Sequence, residues 1–242
     1  MIKVEELSKT IGSQAILAEM SFAVTPGEHL ALIGLRGSGK SVLLQILCGF
    51  TPPSTGEVWI DGQSLRRHPC QAKQQIGYIP REAPLYPEQT VRSYLDLCHK
   101  LRGLPSDIQR TEELMDAFVL RAYADTRLDQ LSRGLCQQLN LAQAVLHKPS
   151  ILLMDDMFLD LDILESQRLQ RLLTLHSQER TYLLATHDLN LASQLCQRVL
   201  ILDQGRIVFD GPSQTVHEAG FFESFFAERE ALDASSSSPV AP

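Results

Sequence analysis

The chain has 242 residues, of which 44% are hydrophobic and 21% charged. This composition is ordinary for a globular protein and excludes wholesale disorder. A chain of this length can bury a sufficient hydrophobic core without a disulfide or a metal ion. Its net charge of −7 argues against a nucleic-acid partner held by phosphate neutralisation, and its five widely spaced cysteines, never in a C-x-x-C pattern, argue against a disulfide framework or a zinc ribbon. No run approaches the ~20 apolar residues that span a bilayer and the N-terminus carries no secretory signal, so we expect a reduced, cytoplasmic chain.

The first third of the chain is predicted to form strands and tight turns. Pro26-Gly27 marks one turn, and Asp61-Gly62 is typical of a hairpin turn between two antiparallel strands. Apolar or alternating runs predict strands over 2–7, 16–24, 30–33 and 58–60.

Helical spacing of apolar residues begins near residue 82 and predicts an inserted helical lobe over about 82–135. Strand and helix then alternate, which implies parallel strands with crossover helices. The predicted fold class is therefore an α/β core that carries an antiparallel β subdomain and a helical lobe.

We expect one domain over 1–232, with phenylalanines at 221–226 on a C-terminal helix, and a disordered tail over 233–242. The later strands are predicted over 151–154, 182–185, 199–202 and 207–209, and the helices over 164–177 and 189–196.

Residues 34–41 read GLRGSGKS and match the phosphate-loop pattern G-x-x-x-x-G-K-[ST]. An apolar strand leads into the loop and a helix-prone run leaves it, which is the context in which backbone N–H groups at a helix N-terminus bind phosphate. We expect Lys40 to reach the β- and γ-phosphates and the Ser41 hydroxyl to bind Mg²⁺ in a P-loop NTPase core. The predicted nucleotide-binding residues of the loop are Gly34, Arg36, Gly37, Ser38, Gly39, Lys40 and Ser41.

Two further strands end in residues that suit the same site. Asp155 directly follows the apolar run 151–154, where an acid is placed to hold Mg²⁺. Thr186-His187 follows the next predicted strand, at the edge where ligands bind in open α/β sheets.

These motifs resemble, in order and spacing, those of the ATP-binding-cassette (ABC) ATPase family over about residues 2–212. The segment LSRGL at 131–135 is similar to the family's signature. The run at 77–80, followed by 85–87, resembles the Q-loop region of cassettes from exporters of drugs, polysaccharides or motility components. The resemblance implies an ATP-binding subunit, peripheral on the inner face of the cell membrane, that hydrolyses ATP to drive a separate transmembrane permease. The permease would dock near the Q-loop and the helical lobe.

The same resemblance implies a head-to-tail dimer, in which each ATP lies between the phosphate loop of one subunit and the signature of the other. Ser132, Arg133 and Gly134, near the start of a helix predicted over 136–147, would face the partner's γ-phosphate. Ile11 stands where an aromatic residue usually stacks on adenine. A homodimer is favoured, and a heterodimer with a second cassette remains open.

The departures from the family pattern cluster on catalysis. Asp156 stands in place of the catalytic glutamate, and its carboxylate is shorter by about 1.3–1.5 Å of reach. The resemblance implies that His187 is the second catalytic residue. Arg81 stands at the Q-loop glutamine and has no acceptor for Mg²⁺; it either offers charge to the γ-phosphate in cis or faces solvent, which we favour. Arg133 and Asp160 each replace a glycine. For Arg133 this costs about 1–2 kcal/mol if the position needs a positive φ.

These departures leave two hypotheses about turnover. Because a misplacement of about 1 Å can cost on the order of 10²-fold in rate, slow hydrolysis is favoured, whereas the intact Lys40, Ser41, Asp155 and His187 are compatible with ordinary hydrolysis. The alternatives in other classes are a soluble ABC protein that clamps a macromolecule and a regulatory nucleotide sensor with little ATPase activity. The transported substrate is recognised by the permease, so nothing in this chain specifies it.

Overall fold

The computed structural model describes residues 1–81, 86–104, 108–177 and 180–217, which form two sheets and their covering helices. The strands are β1 (Ile2–Ile11), β2 (Gln14–Val24), β3 (His29–Ile33), β4 (Thr55–Ile60), β5 (Gln63–Ser64), β6 (Ile76–Ile79), β7 (Ile151–Asp155), β8 (Thr181–Thr186), β9 (Arg198–Asp203) and β10 (Arg206–Pro212). The helices are α1 (Lys40–Leu47), α2 (Pro69–Gln74), α3 (Val91–Leu101), α4 (Ile108–Ala117), α5 (Arg133–Val145), α6 (Ile163–Ser177), α7 (Leu189–Leu195) and α8 (Ser213–His217).

The larger sheet has the strand order β10-β9-β3-β8-β7-β6. All neighbours pair in parallel except β10, which runs antiparallel to β9. Both β7 and β8 are buried along their whole length, as expected for parallel strands that are covered on both faces. Because the strands are parallel, the carboxyl ends of β3, β8, β7 and β6 lie side by side at one edge of the sheet.

The smaller sheet is antiparallel, with the order β2-β1-β4-β5. The predicted hairpin turn lies between β4 and β5, where Asp61 (φ 46°) and Gly62 (φ 77°) adopt the left-handed conformations of a type I′ turn. This sheet is tied to the core through β2, since the N–H of Ala18 donates to the carbonyl of Gly205 at 2.9 Å. The fold is the predicted α/β core with an antiparallel β subdomain.

Helices α3 and α4 form the described part of the predicted helical lobe. Helix α3 begins at a capping box, in which the Thr90 side chain accepts from the N–H of Ser93. Its buried residues Val91, Leu95 and Cys98 recur at helical spacing and join the core cluster on one face of the large sheet. Packing of one amphipathic face therefore holds the lobe to the core.

Several sequence predictions differ from the structure. Helix α5 begins at Arg133 rather than at 136, because the Ser132 side chain accepts from the N–H of Leu135 and caps a helix that starts earlier. Helix α2 was not predicted: Pro69 opens it, and proline at a helix start is easily taken for a turn signal. The predicted phenylalanine-bearing helix over 221–226, the tail over 233–242 and lobe residues 82–85 and 105–107 lie outside the described residues.

All five cysteines lie within the described ranges, and all are free. Among the helices of those ranges, none is both long enough and apolar enough to cross a membrane.

Candidate nucleotide-binding site

Four neighbouring strands deliver the candidate site residues to one edge of the large sheet. The phosphate loop follows β3, Asp155 ends β7, His187 follows β8, and Arg81 comes two residues after β6. The strand register places Ile33 beside Thr186 and Asp155 beside Ala185, so these strand ends are level with one another. The topology thus brings together motifs that are more than a hundred residues apart in the sequence.

The phosphate loop depends on glycine at two places. Gly39, the N-cap of α1, has φ 104°, and a Cβ atom there would lie 2.5 Å from Cδ2 of Leu17. A Cβ atom at Gly34 would lie 2.2 Å from the carbonyl oxygen of Leu202. The loop is therefore packed so closely against β2 and β9 that side chains are excluded at both ends.

Lys40 lies buried at the start of α1, with its side chain folded back over the loop. Its Nζ donates to the carbonyl oxygens of Gly34 (2.6 Å) and Leu35 (3.0 Å). Burial lowers the pKa of Lys40, and the carboxylates of Asp156 and Asp155 oppose that shift. An ammonium group held in this way is placed to donate a further hydrogen bond to a phosphate oxygen.

The other predicted nucleotide-binding residues lie in different surroundings. Ser38 is buried, and its N–H donates to the carbonyl of Leu35 at 3.2 Å, so this residue shapes the loop. Arg36 and Ile11 are exposed, the latter at the end of β1 with 55% of its surface accessible. Ile11 thus presents an apolar side chain to solvent, as a residue that contacts a base would.

Ser41 and Asp155 form an oxygen pair beside the loop. The Ser41 hydroxyl donates to Oδ1 of Asp155 at 3.0 Å. Burial raises the pKa of Asp155, while the hydrogen bond from Ser41 lowers it. Hydroxyl and carboxylate oxygens suit Mg²⁺, which takes one or two protein ligands and completes its shell with phosphates and water. In the described part of the chain no group of three or more His, Cys, Asp or Glu side chains is placed to hold a metal ion.

Asp156 and His187 face each other, with Nδ1 of His187 at 3.3 Å from Oδ1 of Asp156. Asp156 has φ 45° and its N–H donates to the carbonyl of Ala185, which fixes its backbone against β8. The Asp156 side chain is 13% exposed and that of His187 58%. A carboxylate that can accept a hydrogen bond from water therefore lies beside an imidazole, which donates through both ring nitrogens only when it is protonated.

Arg81 lies between the two alternatives given above, because its side chain is neither fully exposed nor fully buried. It is half-buried, and its Nε atom is buried without a hydrogen-bond partner among the described residues. Its carbonyl oxygen accepts from Nε2 of Gln137 in α5 at 3.4 Å. Its positive charge adds to the lowering of the pKa of Lys40 and opposes the rise that burial causes in the pKa of Asp155.

The signature residues bind a carboxylate of the same chain. The Ser132 hydroxyl donates to Oε1 of Glu165 at 2.8 Å, and the N–H of Gly134 donates to the same oxygen at 3.2 Å. A negative charge at the N-terminus of α5 is favoured by the helix dipole. Sequence reasoning missed Glu165, which belongs to no motif and reaches the signature only through the packing of α5 on α6.

Two departures from the family pattern compensate each other. Arg133 lies in the first turn of α5 and is not among the residues with positive φ, so the anticipated backbone strain is absent. Its guanidinium lies 3.3 Å from the carboxylate of Asp160, which has φ 59°. Aspartate is one of the few residues that tolerate this left-handed conformation. The two side chains that replace glycines thus pair with each other on the surface.

Comparisons with known proteins identify the family of this chain. A family model described as ABC transporter matches residues 17–158. The Nod factor export ATP-binding protein I of Rhizobium etli is 31% identical over 87% of this chain and 67% of its own length. The linearmycin resistance ATP-binding protein LnrL of Bacillus subtilis is 28% identical over 87% of this chain and 69% of its own length.

A solved structure titled "Structure of ATP binding subunit of ABC transporter" superposes with a TM-score of 0.80 at 28% identity and covers 94% of this chain and 98% of its own. The matched family model alone spans more than half of the 242 residues. The chain therefore belongs to the ABC transporter family, in which it is an ATP-binding, ATP-hydrolysing subunit.

Proposed function

We propose that this chain binds MgATP between two copies of itself, at the inner face of the cell membrane, and that hydrolysis drives a separate permease which exports a substrate. The observation that carries the proposal is the convergence of Lys40, the Ser41–Asp155 pair and the Asp156–His187 pair at one sheet edge. ATP-binding subunits of this family dimerise and act with transmembrane components. We extend the ATPase domain to residues 1–232.

Each of the site residues has a separate role in binding the phosphates or in hydrolysis. The backbone at the start of α1 and the ammonium group of Lys40 bind the β- and γ-phosphates. Ser41 and Asp155 hold Mg²⁺, which neutralises phosphate charge when it is bound. Asp156 orients the attacking water, and His187 donates a hydrogen bond to the γ-phosphate. From the second copy, Ser132 and the N–H of Gly134 complete the binding of the γ-phosphate.

Hydrolysis is proposed to be slow. The short carboxylate of Asp156 rests on a backbone with φ 45° and is directed towards His187, so its reach to a water molecule is limited. An ATPase assay on the chain with its permease tests this. We expect kcat below ~1 s⁻¹, and a value within the usual range of about 1–10³ s⁻¹ contradicts slow turnover.

Native mass measurement of the ATP-bound complex is expected to show a single cassette species, and two species would contradict the homodimer.

We assign permease docking to an apolar groove of about 370 Å³ between the end of α1 and helix α3. Three of its large apolar side chains are exposed: Phe50 (65%), Tyr86 (54%) and Leu101 (71%). Exposed apolar clusters of this kind mark surfaces that bind another protein.

Replacing Phe50 and Leu101 by aspartate is expected to abolish capture of the permease, because charged groups would enter an apolar contact. ATP affinity should stay within twofold, since neither residue contacts the phosphate loop. Co-purification from membranes and an ATP titration measure the two effects. Leu175→Asp is the matched control, as Leu175 is 67% exposed on α6, outside the groove. Equal permease capture by all variants would contradict this docking surface.

Glu165 opposes closure of the dimer, because its carboxylate holds the groups that would bind the partner's γ-phosphate. Glu165→Ala is expected to strengthen dimerisation with a non-hydrolysable ATP analogue by about tenfold, since a charge-assisted hydrogen bond contributes about 1.5–3 kcal/mol. Ser132→Ala should weaken it, because this variant also loses the contact with phosphate. Sedimentation velocity measures both, and a Glu165→Ala protein that dimerises no better than the original contradicts the competition.

A further inference from the structure

Arg81 is a charged residue at the site to which the proposed function assigns no role. It follows β6 at the carboxyl edge of the sheet, and its carbonyl oxygen is anchored by Gln137 of α5. Its Nε is buried and has no hydrogen-bond partner among the described residues. Buried donors are nearly always paired in folded proteins, so this one lacks a partner that a ligand can supply.

The surroundings identify that partner as an anion. Arg81 and Lys40 are like charges close enough for the guanidinium to contribute to lowering the pKa of the lysine. An anion placed between two cations relieves their repulsion and offers acceptors to both. A guanidinium is planar, carries several N–H donors in a fixed fork and matches the oxygens of a phosphate.

Strand order determines which phosphate Arg81 can reach. From the phosphate loop after β3, the sheet runs through β8 and β7 to β6, so Arg81 starts three strand spacings away, or about 14 Å. Asp155 and Asp156, at the end of β7, lie between them. A side chain that approaches from beyond Asp156 meets the terminal phosphate, whereas the α- and β-phosphates are held by the loop itself.

We infer that Arg81 is a ligand of the γ-phosphate supplied in cis, a catalytic residue that makes this site discriminate ATP from ADP. The inference rests on the proposed function of the site. At the position where the family pattern has a glutamine with a neutral amide, this chain has the positive charge of Arg81. Such a charge stabilises the negative charge that the γ-phosphoryl oxygens carry during transfer, and it offsets part of the loss caused by the short Asp156.

Equilibrium binding of ATP and ADP to the purified chain, with and without Mg²⁺, tests this assignment. Arg81→Ala and Arg81→Gln are expected to raise the Kd for ATP about tenfold and to leave the Kd for ADP within twofold. Arg81→Lys should retain part of the ATP preference. Arg66→Gln, which removes the same charge from a side chain that is 71% exposed and distant from the loop, should change neither value.

Equal weakening of ATP and ADP, or no change for either nucleotide in the Arg81 variants, would overturn the assignment. Thermal unfolding of both variants guards against misfolding, and Arg81→Gln preserves side-chain size if Arg81→Ala is unstable. Failure of the proposed function can be distinguished from failure of the Arg81 assignment, because in that case the unaltered chain itself would bind neither ATP nor ADP.

Discussion

Lys40→Ala is expected to weaken ATP binding by on the order of 10²-fold, because two or more charge-assisted hydrogen bonds of about 1.5–3 kcal/mol each are lost. The structure explains why no neighbour can substitute. Lys40 is buried at the N-terminus of α1, and its Nζ is held over the loop by the carbonyl oxygens of Gly34 and Leu35. Titration calorimetry with MgATP measures the change.

Lys3→Ala is the matched control, since it removes the same charge from an exposed side chain that pairs with Glu5. This variant should bind MgATP like the unaltered chain, and ATP should raise its Tm equally. If Lys40→Ala binds MgATP as tightly as Lys3→Ala, or if the unaltered chain ignores millimolar MgATP, the phosphate loop does not do what we have assigned to it.

The sequence alone predicted the parts of this molecule that are local. The phosphate loop, the acid after β7 and His187 after β8 are short patterns whose chemistry depends on neighbours in the chain. The turn at Asp61-Gly62 likewise carries its own conformational preference, and the structure confirms it. Alternation of strands and helices then predicted the parallel sheet that brings these motifs to one edge.

What the sequence could not supply were contacts between distant segments. Glu165 meets Ser132 only because α6 packs against α5. Arg133 and Asp160 are separated by a similar number of residues, and their side chains form an ion pair. Two residues that each depart from the family pattern therefore pair with each other. Arg81 comes to this edge of the sheet only because β6 pairs with β7. Each is a property of packing, which no residue pattern specifies.

Asp156→Asn is expected to reduce ATP hydrolysis by about 10²–10³-fold while ATP affinity changes little, since a neutral amide no longer accepts a proton from the attacking water. The hydrogen-bond partner of the Asp156 carboxylate is Nδ1 of His187 at 3.3 Å, which lies after β8 and outside the phosphate loop. A single-turnover hydrolysis assay with saturating ATP separates the chemical step from binding. Retention of the original rate would show that the carboxylate is not the group that orients water.

Asp156→Glu is the informative companion, because it adds back about 1.3–1.5 Å of reach without changing the charge. If the short carboxylate limits turnover, this variant should hydrolyse ATP at least about tenfold faster than the unaltered chain. The largely covered position of Asp156, with 13% of its side chain exposed beside His187, leaves a second outcome in which the longer side chain collides with the imidazole and the rate falls. A fall would mean that the site is built around aspartate, and that the missing methylene does not limit the rate of this ATPase.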